Sequence, residues 1–212
     1  MNPTPKFDRA TLAIFSSKIA RFVDDIERTF ALFDINTPRR QCHWLAQMAH
    51  ESQGFTRFEE NLNYSAERLV AVFPSRFKTV AEADRYARNP EKLANHIYAN
   101  RNGNGDFASG DGYNFRGRGF VHLTFRGNYR AATRGLRERN IGCPDLEVRP
   151  DAAGAPPTML LVAGWYWSDY RDCNEHADRD DLNAITRAIN GGLNGIEDRR
   201  EWYDRAKAAL GV

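Results

Sequence analysis

Cysteine is scarce in these 212 residues, and the three present, Cys42, Cys143 and Cys173, are far apart and odd in number. They lack the paired C-x-x-C spacing of a zinc or redox centre, so three reduced thiols are expected. No apolar run is long enough to cross a bilayer. The apolar stretch ATLAIFSSKIARF is broken by Lys18 and Arg21, and no small-residue cleavage site follows it, so no secretory segment is in view. Synthesis in the cytoplasm is expected, with any action elsewhere requiring a separate means of release. A charge excess is missing too: 30 Lys plus Arg against 28 Asp plus Glu leave a formal +2, too little to indicate nucleic acid as a partner.

Several signatures of site chemistry also fail. HESQG opens like a zinc-binding H-E-x-x-H helix, but its fifth residue is Gly54, and His43 and His50 are seven apart rather than four. NGNGDF starts like a calcium loop, with Phe107 where the turn glycine belongs and no closing glutamate. GRGF has too few glycines for a dinucleotide or phosphate loop, and no G-x-S-x-G elbow occurs. No metal and no cofactor are expected.

What the chain does have is an ordinary globular composition, 42% hydrophobic and 27% charged, and enough length for one domain with a sizeable core. Leu12, Phe15, Ile19, Phe22, Ile26, Phe30 and Phe33 recur at spacings of three and four, which predicts one long first helix with a buried stripe. Thr37-Pro38 should open a second helix running to about Gln53, where Gly54 ends it. AERLVAVF, VAEADRYAR behind a Thr79 to Glu82 capping box, and EKLANHIYAN begun by Asn89-Pro90 read as three short helices of a small lobe. RNGNGDFASGDGYNFRGRG should be largely loop. FVHLTF has strand-like composition, PTMLLVAGWYWSDY and DLNAITRAIN read as helices, the first of them buried, and EDRREWYDRAKAAL as an exposed terminal helix. The architecture expected is mainly α with two lobes: a larger one over about residues 1–60 and 110–212, and a smaller one over about 61–109, with a cleft between them.

Two carboxylates stand out beside the second helix. Cleavage of a glycosidic bond needs one carboxylic acid to protonate the leaving oxygen and a second carboxylate to activate water or attack the sugar. Glu51 and Glu60 are nine residues apart, which on one continuous helix would place them on opposite faces, at about 100° per residue. The chain must turn between them, and Gly54 permits it. Glu59 competes with Glu60, and the residues alone do not separate the two. Polar stretches that could line a sugar cleft follow: NLNYS with Tyr64, GYNFRGRG, HLTFRGNY and AINGG. Residues 116–139 also carry Arg116, Arg118, Arg126, Arg130, Arg134, Arg137 and Arg139, opposed within the segment only by Glu138. That is either a solvated basic face or a patch for transient contact with an anionic wall or membrane surface.

The motifs AHESQGF, Glu60, RGRGFVHLTFRGNY and AINGGLNG occur in the order seen in glycoside hydrolase family 19, and the chain resembles the phage endolysins of that group over about residues 38–205. The resemblance implies a lysozyme-like fold, a single catalytic domain over 1–212, and hydrolysis with inversion. It implies Glu51 as general acid, Glu60 as general base, Thr124 as the hydroxyl holding the attacking water, and Asn128 and Asn190 as substrate-positioning residues. His122 stands where the family often has Gln, which adds a titratable group to the substrate-binding set. The absence of the disulfides of plant chitinases, and Asn194 where those carry an acid, favour peptidoglycan over chitin as the polymer. The expectation is a monomeric endolysin that acts on the wall after release by a factor such as a holin. Its rivals are a chitinase and a catalytically silent wall-binding protein.

Overall fold

The computed structural model describes residues 7–212, so the first six residues of the expected larger lobe lie outside the described residues. The apolar stripe of the first forty residues is buried along its whole length, but it does not lie on one helix. α1 spans Arg9–Phe15, a 3₁₀ turn spans Ala20–Phe22, and α2 spans Val23–Leu32. The break falls at Ser16, which is extended (φ −162°, ψ 124°) and whose amide donates to Leu12 O. The helix stops at this extended serine, and the burial pattern survives the break.

α3 spans Pro38–Glu51, capped by Thr37, whose side chain accepts from the Arg40 amide. It ends two residues before the expected boundary. Ser52 Oγ donates to Met48 O at 2.6 Å, and Gln53, Gly54 and Phe55 in succession adopt positive φ. The Gly54 amide closes this turn on Ala49 O at 2.7 Å. The reversal that the two glutamates require is therefore built from three left-handed residues rather than from one glycine.

The small-lobe helices form as the capping signals predict: α4 over Ala66–Val72, α5 over Val80–Asp84 with its capping box complete, and α6 over Pro90–Ile97. The glycine-rich stretch is mostly loop, with one short helix, α7, at Asp111–Asn114. FVHLTF is not a strand. Gly119 (φ 77°) and His122 (φ 44°) reverse the chain, and Arg118 and Leu123 exchange both backbone hydrogen bonds, at 3.1 and 2.8 Å, across the resulting hairpin. Among the described residues only isolated bridges of this kind occur, so the chain is mainly helical.

α8 covers Arg126–Glu138, α9 covers Thr158–Trp165 and runs on into a π-helical turn at Tyr166–Tyr170, α10 covers Cys173–Asp178, and α11 covers Leu182–Asn190. α12, Ile196–Leu210, was expected to be an exposed helix. Instead it buries Arg199, Tyr203, Ala206 and Leu210, spaced four, three and four, and makes the most extensive helix pairing of the fold, against α3. The acidic and basic residues that suggested exposure occupy its outer side.

Buried apolar side chains fall into two clusters. One gathers α1, α2, α3, α8, α9 and α12 around Trp44, Phe120, Tyr129 and Trp167; the other gathers α4, α5 and α6 around Leu69, Phe77 and Leu93. α9 passes so close to α2 that a Cβ on Gly164 would meet Phe33 Cδ2 at 2.3 Å and Thr29 Cγ2 at 2.6 Å. Alanine in an exposed helix would outperform glycine by about 1 kcal/mol. Gly164→Ala should here destabilise the protein by about 1–3 kcal/mol, because a packed interior has no room for the added methyl. Urea unfolding checks the sign.

Candidate active site

Glu51 is the last residue of α3, and its position is set from α12. The Arg199 guanidinium, buried between the two helices, donates from Nη2 to Glu51 Oε1 at 2.5 Å and from Nη1 to Gln47 Oε1. Gln47 Nε2 in turn donates to Thr186 Oγ1 at 3.3 Å on α11. A buried cation needs such partners, since an uncompensated charge in the interior costs several kcal/mol. Glu51 thus has one oxygen fixed by the core and its Oε2 without a protein hydrogen bond among the described residues. Sequence analysis missed Arg199, although an arginine in register with Tyr203, Ala206 and Leu210 on an otherwise apolar stripe is a readable signal.

Glu60 is held by neutral donors from both clusters. Tyr98 Oη, at the end of α6, donates to Oε2 at 2.6 Å, and the Gly117 amide donates to Oε1 at 2.6 Å. Burial, with the Glu60 charge adding to it, pushes the Tyr98 hydroxyl well above the usual phenol range, so Tyr98 stays a donor. The preceding residue points elsewhere. Glu59 Oε1 and Oε2 both accept from Arg116 Nη2 at 3.1 Å, with Arg118 Nε at 3.5 Å. Successive side chains of an extended segment face opposite ways, and this separates the two glutamates that the sequence left as alternatives.

Thr124 and His122 join Glu60 around Gly117. A Cβ on Gly117 would lie 3.2 Å from both His122 Cβ and Thr124 Oγ1, and 3.4 Å from Glu60 Cβ. Thr124 Oγ1 donates to His122 O at 2.7 Å. The His122 ring is half-buried, its buried Nε2 lacks a hydrogen-bond partner, and it lines one cavity with Glu51, His50, Asp198 and Trp202. Burial lowers its proton affinity, an effect opposed by the charges of Glu51 and Glu60, so both carboxylates act on one ring. His50 does not face the reaction but pairs with Asp198 at 2.6 Å, under Gly195, where any Cβ would strike the ring at 2.2 Å.

The remaining candidates lie further out. Asn128 Nδ2 donates to Thr124 O at 2.8 Å and its Oδ1 accepts from Asn102, which ties it to the threonine's backbone rather than to either carboxylate. Asn190 spends its side chain on its own turn, with Nδ2 to Asn194 O and Oδ1 from the Gly192 amide. Because Arg199 Nε also donates to Asn194 O at 3.3 Å, Asn190 connects to Glu51 only through that loop. Tyr64 packs edge-on against Phe73 in the small lobe. No group of three or more His, Cys, Asp or Glu able to hold a metal ion occurs among the described residues.

The arginine-rich segment is paired with acids throughout. Each of its seven guanidiniums has a carboxylate, mostly from another part of the chain: Glu59 for Arg116, Asp151 for Arg118, Asp111 for Arg126, Glu147 for Arg130, Glu138 for Arg134, Asp145 for Arg137 and Asp169 for Arg139. Counting acids within the segment overstated its charge, because folding brings the counter-ions from outside it.

Two helical lobes with a carboxylate anchored in one and a second carboxylate bonded to both define the class: a lysozyme-like glycoside hydrolase. No family model matches the chain. It is 44% identical over 164 residues to a glycosyl hydrolase family 19 domain-containing protein of Haemophilus influenzae, covering 77% of this chain and 76% of that protein. The chain belongs to glycosyl hydrolase family 19. Its fold is similar to a bacterial family 19 chitinase, with TM-score 0.61 at 19% identity and 94% of each chain covered. Chitinase C from Streptomyces griseus gives 0.59 at 18%, covering all of this chain and 78% of that one.

Two outcomes test the geometry. Tyr98→Phe removes one donor to a charged acceptor, worth about 1.5–3 kcal/mol; kcat should fall about 10- to 100-fold with KM little changed. The depressed proton affinity of the half-buried His122 ring means that the unfolded chain binds its proton more readily. That share of stability is full above about pH 6.5 and is lost as pH falls towards the lower folded value. His122→Gln should reduce the loss of stability between about pH 7 and pH 5 in urea unfolding.

Proposed function

We propose that the chain is an endolysin-type hydrolase that cleaves the β-1,4 glycosidic bond of bacterial peptidoglycan with inversion. Glu51 gives its proton to the leaving oxygen, Glu60 takes one from water, and Thr124, beside Glu60, holds that water. The observation carrying this reading is the unequal anchoring of the acids. Glu51 gives one oxygen to Arg199 and keeps the other free of the protein, Glu60 is oriented by two neutral hydrogen-bond donors as an acceptor, and Glu59 has both oxygens taken by Arg116. Peptidoglycan is supported by Asn194, where the plant chitinases of the family carry an acid, and by three cysteines that are all free. In this reading the protein is made in the host bacterial cytoplasm and reaches the wall once a factor such as a holin opens the inner membrane. A second reading, hydrolysis of chitin, is favoured by the chitinase activity named for the solved structures that share the fold.

Reducing ends released from purified peptidoglycan and from chitin oligomers in parallel, with mass spectrometry of the products, decide between the two polymers. No product from either substrate would leave the wall-binding alternative. Glu51→Gln should lower the rate about a thousandfold or more in a protein still folded by circular dichroism, because an amide cannot donate the required proton. Glu60→Gln should cost far more activity than Glu59→Gln, and equal losses would sink the assignment of the base.

A further inference from the structure

Beyond the neutralised arginine-rich segment lies a second basic cluster whose members are scattered in sequence. Arg57, Arg68 and Arg88 line one open cavity of about 430 Å³ together with Asn61, Asn63 and Tyr64. Arg57 is half-buried in the turn after α3, Arg68 is exposed on α4, and Arg88 is exposed just before α6. Arg88 sits at φ 54°, and its amide donates to Tyr64 O at 2.9 Å, which fastens the approach to α6 onto the approach to α4. Three segments are thereby brought to one rim.

None of these three guanidiniums forms an ion pair among the described residues. Glu67 feels the charge of Arg88, but its acidity is strengthened first by the Ser65 hydroxyl and by its own backbone amide. The cavity lies where the chain leaves the candidate site: Asn61, on its lining, directly follows Glu60, and Arg57 stands three residues before it. Three like charges gathered beside a sugar cleft repel one another, and a neutral polysaccharide has nothing to offset them. Guanidinium forks match carboxylates in pairs of parallel hydrogen bonds, while Tyr64 and the two asparagines suit sugar and peptide groups.

The geometry points to an anion subsite at Arg57, Arg68 and Arg88 that takes carboxylate groups carried by the glycan, the acidic stem peptides of peptidoglycan, next to the bond that is cut. This inference rests on the peptidoglycan reading and gives it a physical basis for selectivity over chitin.

The test uses the full chain carrying Glu51→Gln, so that substrate persists, in calorimetric titration at low salt. The probes are glycan fragments with intact stem peptides and the same fragments after an amidase has removed the peptides and the freed lactyl carboxylates have been converted to neutral amides. Peptide-bearing fragments should bind about tenfold more tightly, and the advantage should shrink as salt screens exposed charge. Arg68→Gln with Arg88→Gln should erase it, with thermal unfolding unchanged, and Arg68→Lys with Arg88→Lys should retain most of it. Equal binding of the two fragments, or a preference that survives the double Gln variant, would overturn the subsite. Inorganic phosphate displacing the peptide-bearing fragment at lower concentration than acetate would overturn the carboxylate assignment in favour of phosphate. The enzymatic reading fails separately, if the unsubstituted protein releases no reducing ends from purified peptidoglycan with its stem peptides intact, and that result leaves the binding comparison standing.

Discussion

A buried guanidinium between α3 and α12 is the constraint on which the rest of the structure hangs. Arg199 cannot stay dry without acceptors, and it finds them in Gln47, Glu51 and Asn194 O. Those partners fix the two helices in register and tie the turn after α11 to the end of α3. Removing one member of such a buried set leaves the others unpaired, at a cost of about 3–5 kcal/mol. Stability and the orientation of Glu51 therefore rest on the same interaction, so a family 19 hydrolase of this design cannot relax its core without moving a candidate catalytic group.

The second carboxylate is placed by a different logic. Glu60 lies where the chain passes from the larger cluster to the smaller, and its two donors come one from each side, Gly117 and Tyr98. The hairpin opposite is strained in the way functional backbone often is, with His122 and Phe125 both at positive φ. That strain brings the His122 ring and the Thr124 hydroxyl to Gly117, where a larger residue would crowd all three neighbours. The site is a seam between lobes, so its geometry responds to how they sit together.

Charge is redistributed by folding in both directions. Seven arginines close in sequence are neutralised by acids drawn from residues 59 to 169, whereas three arginines spread over residues 57–88 converge with no carboxylate among them. Linear charge counts therefore misplace the exposed positive potential of this protein. What matters for an approaching polymer is which cations remain unpaired at the cleft, since exposed paired ones contribute little.

Local sequence signals marked several helix starts, although α8 and α10 carried no such mark and the long first helix broke at Ser16. Thr37, Thr79 and Asn89 cap where local chemistry says they should, because a cap needs only side chain and backbone three residues apart. The sequence by itself also determined which apolar residues are buried, since the stripe from Leu12 to Phe33 stays in the core even where its helix breaks. Glu51 and a second carboxylate at Glu59 or Glu60 stood out as candidates from the residues, and Thr124 entered only through the family resemblance of the surrounding motifs. Tertiary structure alone decided the rest: that Glu59 turns to arginine and Glu60 to Tyr98, that FVHLTF closes as a hairpin, and that α12 is an interior wall carrying Arg199. Each of these depends on groups 38 to 148 residues apart meeting at hydrogen-bond distance or on a backbone reversal imposed by that packing. Periodicity and propensity report only what neighbours along the chain do to one another.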